Sequence, residues 1–229
     1  MTTLVGIVAQ NGKKGIVLAS DIAGTTSNWT AQGDVAYRRQ ERTEGQKIYV
    51  DKEGEVAVCM SGVFDTPYTS FLSRIINKEI DLRKATKEGF LEEFLRLNLS
   101  RWGGKLPINE NSNGLLLATR FDNEPKLYGI WPLGMIEQIP ATITIGSGSE
   151  YASKFIQKQR LLIPGGITIP QAVDLAERSI DEASQDVYTG GLDIVVVAED
   201  SISGFGNLIQ KRMREAREGV VEDIKRGFS

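Results

Sequence analysis

Thr2-Thr3-Leu4-Val5-Gly6-Ile7-Val8-Ala9, then Gln10-Asn11-Gly12-Lys13-Lys14, then Gly15-Ile16-Val17-Leu18-Ala19-Ser20-Asp21 is the stretch that sets the fold class. Two short apolar runs flank a polar glycine turn, which predicts a β-hairpin of Leu4 to Ala9 with Gly15 to Ser20, starting almost at the first residue. A second hairpin is expected from Lys47 to Val50 and Glu55 to Ser61, with Asp51-Lys52-Glu53-Gly54 as its turn. Between the hairpins, Ile22 to Gly45 is polar and carries Trp29, Tyr37 and the charged run Arg38 to Glu44. That segment reads either as a long loop or as a protruding hairpin.

Helical periodicity follows. Phe71, Leu72, Ile75, Ile76 and Ile80, then Phe90, Leu91, Phe94, Leu95 and Leu99, recur at three-to-four spacing and predict two helices. From Gly114 the pattern returns to strands at Leu115 to Arg120, Lys126 to Trp131, Gly134 to Ile139 and Ala141 to Ile145, read as a meander. After Gly146-Ser147-Gly148 a helix through Tyr151, Phe155 and Ile156 is expected. Another begins near Pro170 with Val173, Ala176, Ile180 and Ala183 inward. Leu192 to Ala198 reads as a final buried strand, and Leu208 to Ile224 as a mixed-charge helical tail. Strands, helix pair, strands, helix pair, strand is the order of an α+β fold. It predicts two stacked antiparallel sheets flanked by helix pairs, a four-layer αββα sandwich over residues 1–200, with a helical extension over 201–229.

Composition narrows the function. The chain has 229 residues, 41% of them hydrophobic, enough for one large core. Its 27 basic and 30 acidic residues leave a net charge of -3 with no long single-sign run, so nucleic acid is not an expected partner. No run of apolar residues suits a membrane span and no signal-peptide pattern precedes Leu4, so a soluble, cytoplasmic protein is expected. Cys59 is the single cysteine, set in the apolar run Val56 to Met60, and histidine is absent. Transition-metal ligand sets cannot be assembled from that inventory, and no cofactor or metal is expected.

A chain without histidine that carries out nucleophilic catalysis needs another base. An N-terminal threonine supplies its own, because its α-amine has an unperturbed pKa of about 7.7 to 8. Removal of Met1 would place Thr2 in that position. Thr2 to Ile7, Ala19-Ser20-Asp21, Gln46-Lys47-Ile48, Ile145 to Ser149 and Asp186-Val187-Tyr188-Thr189-Gly190-Gly191 resemble, in order, the motifs of proteasome β-type subunits, a family of the N-terminal nucleophile hydrolase superfamily. None of these fragments is specific alone; their order and spacing carry the resemblance over about residues 2–198.

The resemblance implies a threonine peptidase that hydrolyses peptide bonds through an acyl-ester on Thr2. Lys47 matches the lysine that lowers the threonine hydroxyl's pKa, and Asp21 matches its carboxylate partner. Ser147, Asp186 and Thr189 match the groups around the α-amine; the family often has serine where Thr189 stands. Gly62 matches the oxyanion-binding glycine and Thr25 a residue that holds the substrate backbone. Gly24, Gly45, Met60 and Phe64 are expected to line an apolar specificity pocket. Taken singly, Asp21 could be a strand-end residue, Lys47 a surface charge, Ser147 a helix cap and Asp186 a helix-end polar group; together they favour catalysis.

The resemblance further implies peptide or unfolded-protein substrates and a homo-oligomer, with related subunits or an ATPase as further partners. Two departures stand out. Only Met1 precedes Thr2, so an aminopeptidase would suffice to expose the nucleophile. The spacing from Thr25 to Lys47 is also longer than the family's usual one, which places extra chain beside the specificity pocket. Two alternatives stay open: a transpeptidase that passes the same acyl group to a peptide amine, and a non-catalytic ring subunit.

Overall fold

The computed structural model describes residues 2–32, 35–45, 47–51, 53–61, 73–75, 77, 79–80, 82, 114–131, 136–163, 165–186 and 190–204, with the backbone alone described over 24–32 and 35–44. In chain order the strands are β1 (Thr3–Ala9), β2 (Gly15–Ser20), β3 (Ala23–Gln32), β4 (Val35–Glu44), β5 (Ile48–Val50) and β6 (Val56–Ser61). They continue with β7 (Gly114–Thr119), β8 (Lys126–Ile130), β9 (Ile136–Gln138) and β10 (Thr142–Gly146). Two helices, α1 (Ser149–Arg160) and α2 (Ile169–Ala183), precede β11 (Asp193–Ala198) and β12 (Ile202–Gly204).

Ten strands form two five-stranded sheets, ordered β10-β1-β2-β11-β12 and β5-β6-β7-β8-β9. Every pairing is antiparallel. The period of two along each strand sorts its side chains between two cores. In β1, β2 and β11, Val5, Ile7, Val17, Ala19, Ile194 and Val196 join Ile156, Leu175 and Ile180 of the helices. Their neighbours Leu4, Ile16, Leu18, Val195 and Val197 instead meet Ala57, Cys59, Leu116 and Ala118 of the second sheet. Val58, Met60, Leu115 and Leu117 face outward from that second sheet, against Ile75, Ile80 and Leu82.

Three separate apolar cores need four layers to enclose them, and this is the α+β sandwich expected from the sequence. The helix layer on the second sheet is described only at Ile75, Ile80, Leu82 and a few neighbours. The expected helix over Phe90 to Leu99 and the tail over Leu208 to Ile224 lie outside the described residues.

Local chemistry accounts for the helix on the first sheet. Thr168 and Gln171 form a reciprocal capping box at the start of α2, and Pro170 stands in its first turn. Its buried stripe is Ala172, Leu175, Ala176, Ser179, Ile180 and Ala183, with Val173 half-buried beside it. Fully burying a side chain such as Leu175 or Ile180 contributes about 1.5–3 kcal/mol. In α1 the inward residues are Ala152 and Ile156, whereas Tyr151 is exposed.

The sequence reading needs two corrections here. The four-strand meander is three strands long: β10 leaves it and pairs with β1 in the other sheet. Alternation along Thr142 to Ile145 cannot reveal which sheet owns the strand, and the transfer is fixed by the Val8 amide bonding the Ala141 carbonyl at 2.7 Å. Nor is β11 the final strand. β12 pairs with it at Val195↔Gly204 through Val197↔Ile202, a pairing too short to leave a periodic signal. The segment left open between loop and hairpin is a hairpin. β3 and β4 are antiparallel over ten residues each, from Ala23↔Glu44 to Gln32↔Val35.

Candidate active site

Asp21 follows directly from β2, a strand whose side chains are buried on both faces, so its carboxylate is delivered into the interior with no solvent exposure. It is met there on two sides. Oδ1 accepts the Thr3 amide at 2.6 Å, and Oδ2 accepts Lys47 Nζ at 2.9 Å. The Asp21 amide in turn donates to the Thr3 carbonyl at 3.1 Å, which locks Asp21 to the first residues of β1. Lys47, immediately before β5, also donates to the Ala23 carbonyl. Its side chain is 5% exposed. A cation this buried is tolerable because a carboxylate and a carbonyl receive its protons.

Electrostatics follow from that burial. Desolvation pushes the Asp21 carboxyl above its ordinary range, against the Lys47 charge and the Thr3 amide, which pull it down. Desolvation pushes the Lys47 ammonium below its ordinary range, against the Asp21 charge. Both shifts come from burial, and each charge opposes the shift of the other, which is what holds the ion pair together in the interior.

Thr2 itself is buried. Its carbonyl accepts the Ser147 amide at 3.1 Å, and the Thr3 hydroxyl accepts the Gly148 amide at 3.1 Å. The turn between β10 and α1 therefore clasps the start of β1. Gly146 makes the clasp feasible: its φ is +107°, and a Cβ there would fall 1.6 Å from the Thr2 carbonyl oxygen. On the other flank, the amides of Ile22 and Ala23 both donate to the Gly190 carbonyl at 3.1 Å. Gly191, at φ +72°, packs so closely that a Cβ would sit 2.2 Å from Ile22 Cγ1. The glycines of both motifs are thus where backbone must touch backbone around Thr2 and Asp21.

The structure brings Thr2, Asp21, Lys47 and the Ser147 backbone into this one hydrogen-bonded cluster. Asp186 stands just past α2, its amide on the Ala183 carbonyl at 3.0 Å and its Oδ2 shielded from solvent, four residues before the docked Gly190. Gly45 is exposed and its amide donates to the Ile22 carbonyl at 2.9 Å. Gly24 and Thr25 are described by backbone alone, opposite Thr43 and Arg42 in the β3–β4 register. Met60 lies in the core outside the second sheet, alongside Leu115. Gly62, Phe64 and Thr189 lie outside the described residues. Burial pushes the Cys59 thiol far up, which leaves it unreactive. Among the described residues no cluster of three metal-binding side chains occurs.

One residue was missed. Asp193 opens β11 opposite Ser20, and its carboxylate accepts the backbone amides of Lys47 and Ile48. It ties β5 of the second sheet to the first sheet at the residue that carries the lysine. Desolvation pushes its carboxyl up, and those amides pull it down. The signal in the sequence was an acid inside the otherwise apolar run Leu192 to Ala198.

With this geometry in place, comparison with known families gives one match: residues 111–198, from the approach to β7 through β11, match the family described as Proteasome subunit. A search among curated proteins gave no match.

Proposed function

With a chain of the proteasome-subunit type as the premise, we propose that it is a threonine peptidase whose nucleophile is Thr2, freed by removal of Met1. The observation that carries this reading is the buried Asp21–Lys47 pair bonded to the amide next to Thr2. In this reading the Thr2 hydroxyl attacks the scissile carbonyl and its proton passes to the α-amine. The Gly62 amide, with Thr25 holding the substrate backbone, steadies the oxyanion. The C–N bond then breaks, the departing amine takes the proton, and an ester remains on Thr2. Water, deprotonated by the Thr2 α-amine, cleaves the ester to release a carboxylic acid and restore the hydroxyl. Lys47 lowers the cost of the alkoxide, Asp21 holds Lys47, and Ser147, Asp186 and Thr189 surround the amine.

Assembly into a cytoplasmic homo-oligomeric ring, with related subunits or an ATPase, belongs to the same proposal. Leu161 and Leu162, 87% and 70% exposed between α1 and α2, are a surface suited to a neighbouring subunit. Among the described residues no helix is long and apolar enough to cross a membrane.

Intact mass before and after treatment with a peptide epoxyketone tests the proposal, since that reagent closes a ring on both the threonine hydroxyl and its free amine. Loss of Met1 followed by one adduct on Thr2 is the expected result. A chain without Met1 that refuses the adduct, or one that keeps Met1, overturns it in favour of a non-catalytic subunit. The β3–β4 hairpin favours a second reading, in which a peptide amine replaces water and the product is a new peptide bond. A ten-residue-per-strand extension beside the site gives room for a defined recognition sequence. Product masses from a peptide pair separate ligation from hydrolysis.

A further inference from the structure

Among the described residues the β3–β4 ribbon pairs with neither five-stranded sheet. Ten residues at about 3.4 Å each make it roughly 34 Å long, and a two-stranded ribbon of that kind is marginally stable in water without a partner. It is nonetheless rooted in the candidate site. β3 starts at Ala23, the residue whose carbonyl receives Lys47 Nζ, and β4 returns to Gly45, whose amide is bonded to Ile22. The ribbon therefore starts from the hydrogen-bonded cluster that also holds the chain next to Thr2.

The register sorts the ribbon into two unlike faces, because opposed residues share a face and successive ones alternate. One face holds the pairs Thr25↔Arg42, Ser27↔Gln40 and Trp29↔Arg38. Its charges beyond the root are both positive, and Glu44 stands at the root itself, opposite Ala23. The other face sets Glu41 opposite Thr26 and Arg39 opposite Asn28, so its charges cancel. The chain as a whole carries a net charge of -3, so a basic face is a local feature and not an average of the surface.

We propose that the ribbon is a substrate-selecting arm: the face that Thr25 shares with Trp29, Arg38 and Arg42 takes an extended peptide segment bearing acidic side chains, distal to the scissile bond. This rests on the peptidase reading of Thr2. The arm adds a backbone edge for pairing and two arginines for carboxylates, Arg38 and Arg42, set four residues or about 14 Å of strand apart. Because the selection rests on charge, it falls as ionic strength rises.

The test is binding, so that it is read without turnover. Fluorescent peptides of one length, one neutral and one with three carboxylates distal to the cleavage position, are titrated by anisotropy against the full Thr2→Ala chain. About tenfold tighter binding of the acidic peptide at about 50 mM salt is expected, lost by about 500 mM. Arg38→Glu with Arg42→Glu abolishes that preference, whereas Arg39→Glu, on the opposite face, retains it. The milder Arg38→Gln with Arg42→Gln reduces the preference and guards against misfolding, checked by an unchanged melting temperature.

Equal binding of the two peptides overturns the arm, as does an Arg39→Glu variant that behaves like the Arg38/Arg42 pair. Concentration-dependent self-association lost with the same pair also overturns it, and assigns the face to a second copy of the chain. An epoxyketone adduct without charge-dependent binding leaves the peptidase standing and removes the arm. Charge-dependent binding without any adduct removes the peptidase, and with it the arm's role in substrate selection, and leaves only a face that binds acidic peptides.

Discussion

The Asp21–Lys47 cluster and the β3–β4 ribbon are joined at Ala23, yet they are held in opposite ways. Asp21 is fixed by β2 behind it, by the amide of Thr3, by Lys47 and, through its neighbours Ile22 and Ala23, by Gly190. Among the described residues, the strands of the ribbon pair only with each other. The contrast teaches where rigidity was placed. The proposed reacting groups sit where several elements converge, while the strands of the proposed recognition surface pair only with each other among the described residues.

The comparison breaks if the cluster proves soft. Lys47→Ala leaves the Asp21 carboxylate buried without its cation, and a loss of about 3–5 kcal/mol is expected in chemical denaturation, together with loss of acylation. Lys47→Arg is not a rescue, since a fork of donors does not fit a site made for one ammonium. If Lys47→Ala melts like the parent chain, the pair is not the anchor described here. Gly146→Ala meets both an unfavourable φ and the Thr2 carbonyl, and roughly 2–4 kcal/mol of destabilisation is expected, with hydrogen exchange quickening at Thr3 and Ser147.

Asp193 sharpens the comparison through pH. Its folded pKa is raised above the ordinary 3.8, so the folded chain holds that proton more tightly than the unfolded one. Stability from this group is therefore greatest at low pH and declines as pH rises from 3.8 through the raised folded value. Asp21 acts in the same direction, so the informative quantity is the difference between the parent and Asp193→Asn. The variant's stability should fall less steeply with pH across that window. Identical slopes would remove Asp193 from the clamp. Asp193→Ala strands the amides of Lys47 and Ile48 and should cost about 1–3 kcal/mol.

The smallest effect is expected in the ribbon. Arg38→Gln or Arg42→Gln should shift stability within about 0.5 kcal/mol, because their strand belongs to neither five-stranded sheet. A larger drop in melting temperature would mean that the ribbon is part of the folded core and not an arm upon it.

Much of this was legible in the sequence. Short apolar runs at Leu4 to Ala9, Gly15 to Ser20 and Glu55 to Ser61, bounded by glycine-containing polar turns, mark strands. Pro170 marks the start of α2. Asp21 and Lys47 could be nominated as partners by resemblance to a family, but no spacing rule said that they touch. Thr3 falls just before the strand expected from Leu4, and nothing in the sequence marks its amide as a ligand of Asp21. Asp193 was passed over because one acid among Leu192, Ile194 and the valines barely changes the hydrophobic pattern.

By itself the sequence determined the elements: which runs alternate, where glycine and proline interrupt them, and that no histidine is present to act as base. These are short-range properties, set by backbone sterics and side-chain polarity over a few residues. Only the tertiary structure decided that β10 joins β1 and not its neighbours in the meander, that Ile22 to Gly45 is a ribbon, and that Lys47 reaches Asp21. Each of those depends on which buried donor or acceptor finds a partner across the fold. A buried polar group must be satisfied wherever its partner lies in the chain, and sequence distance carries no record of that.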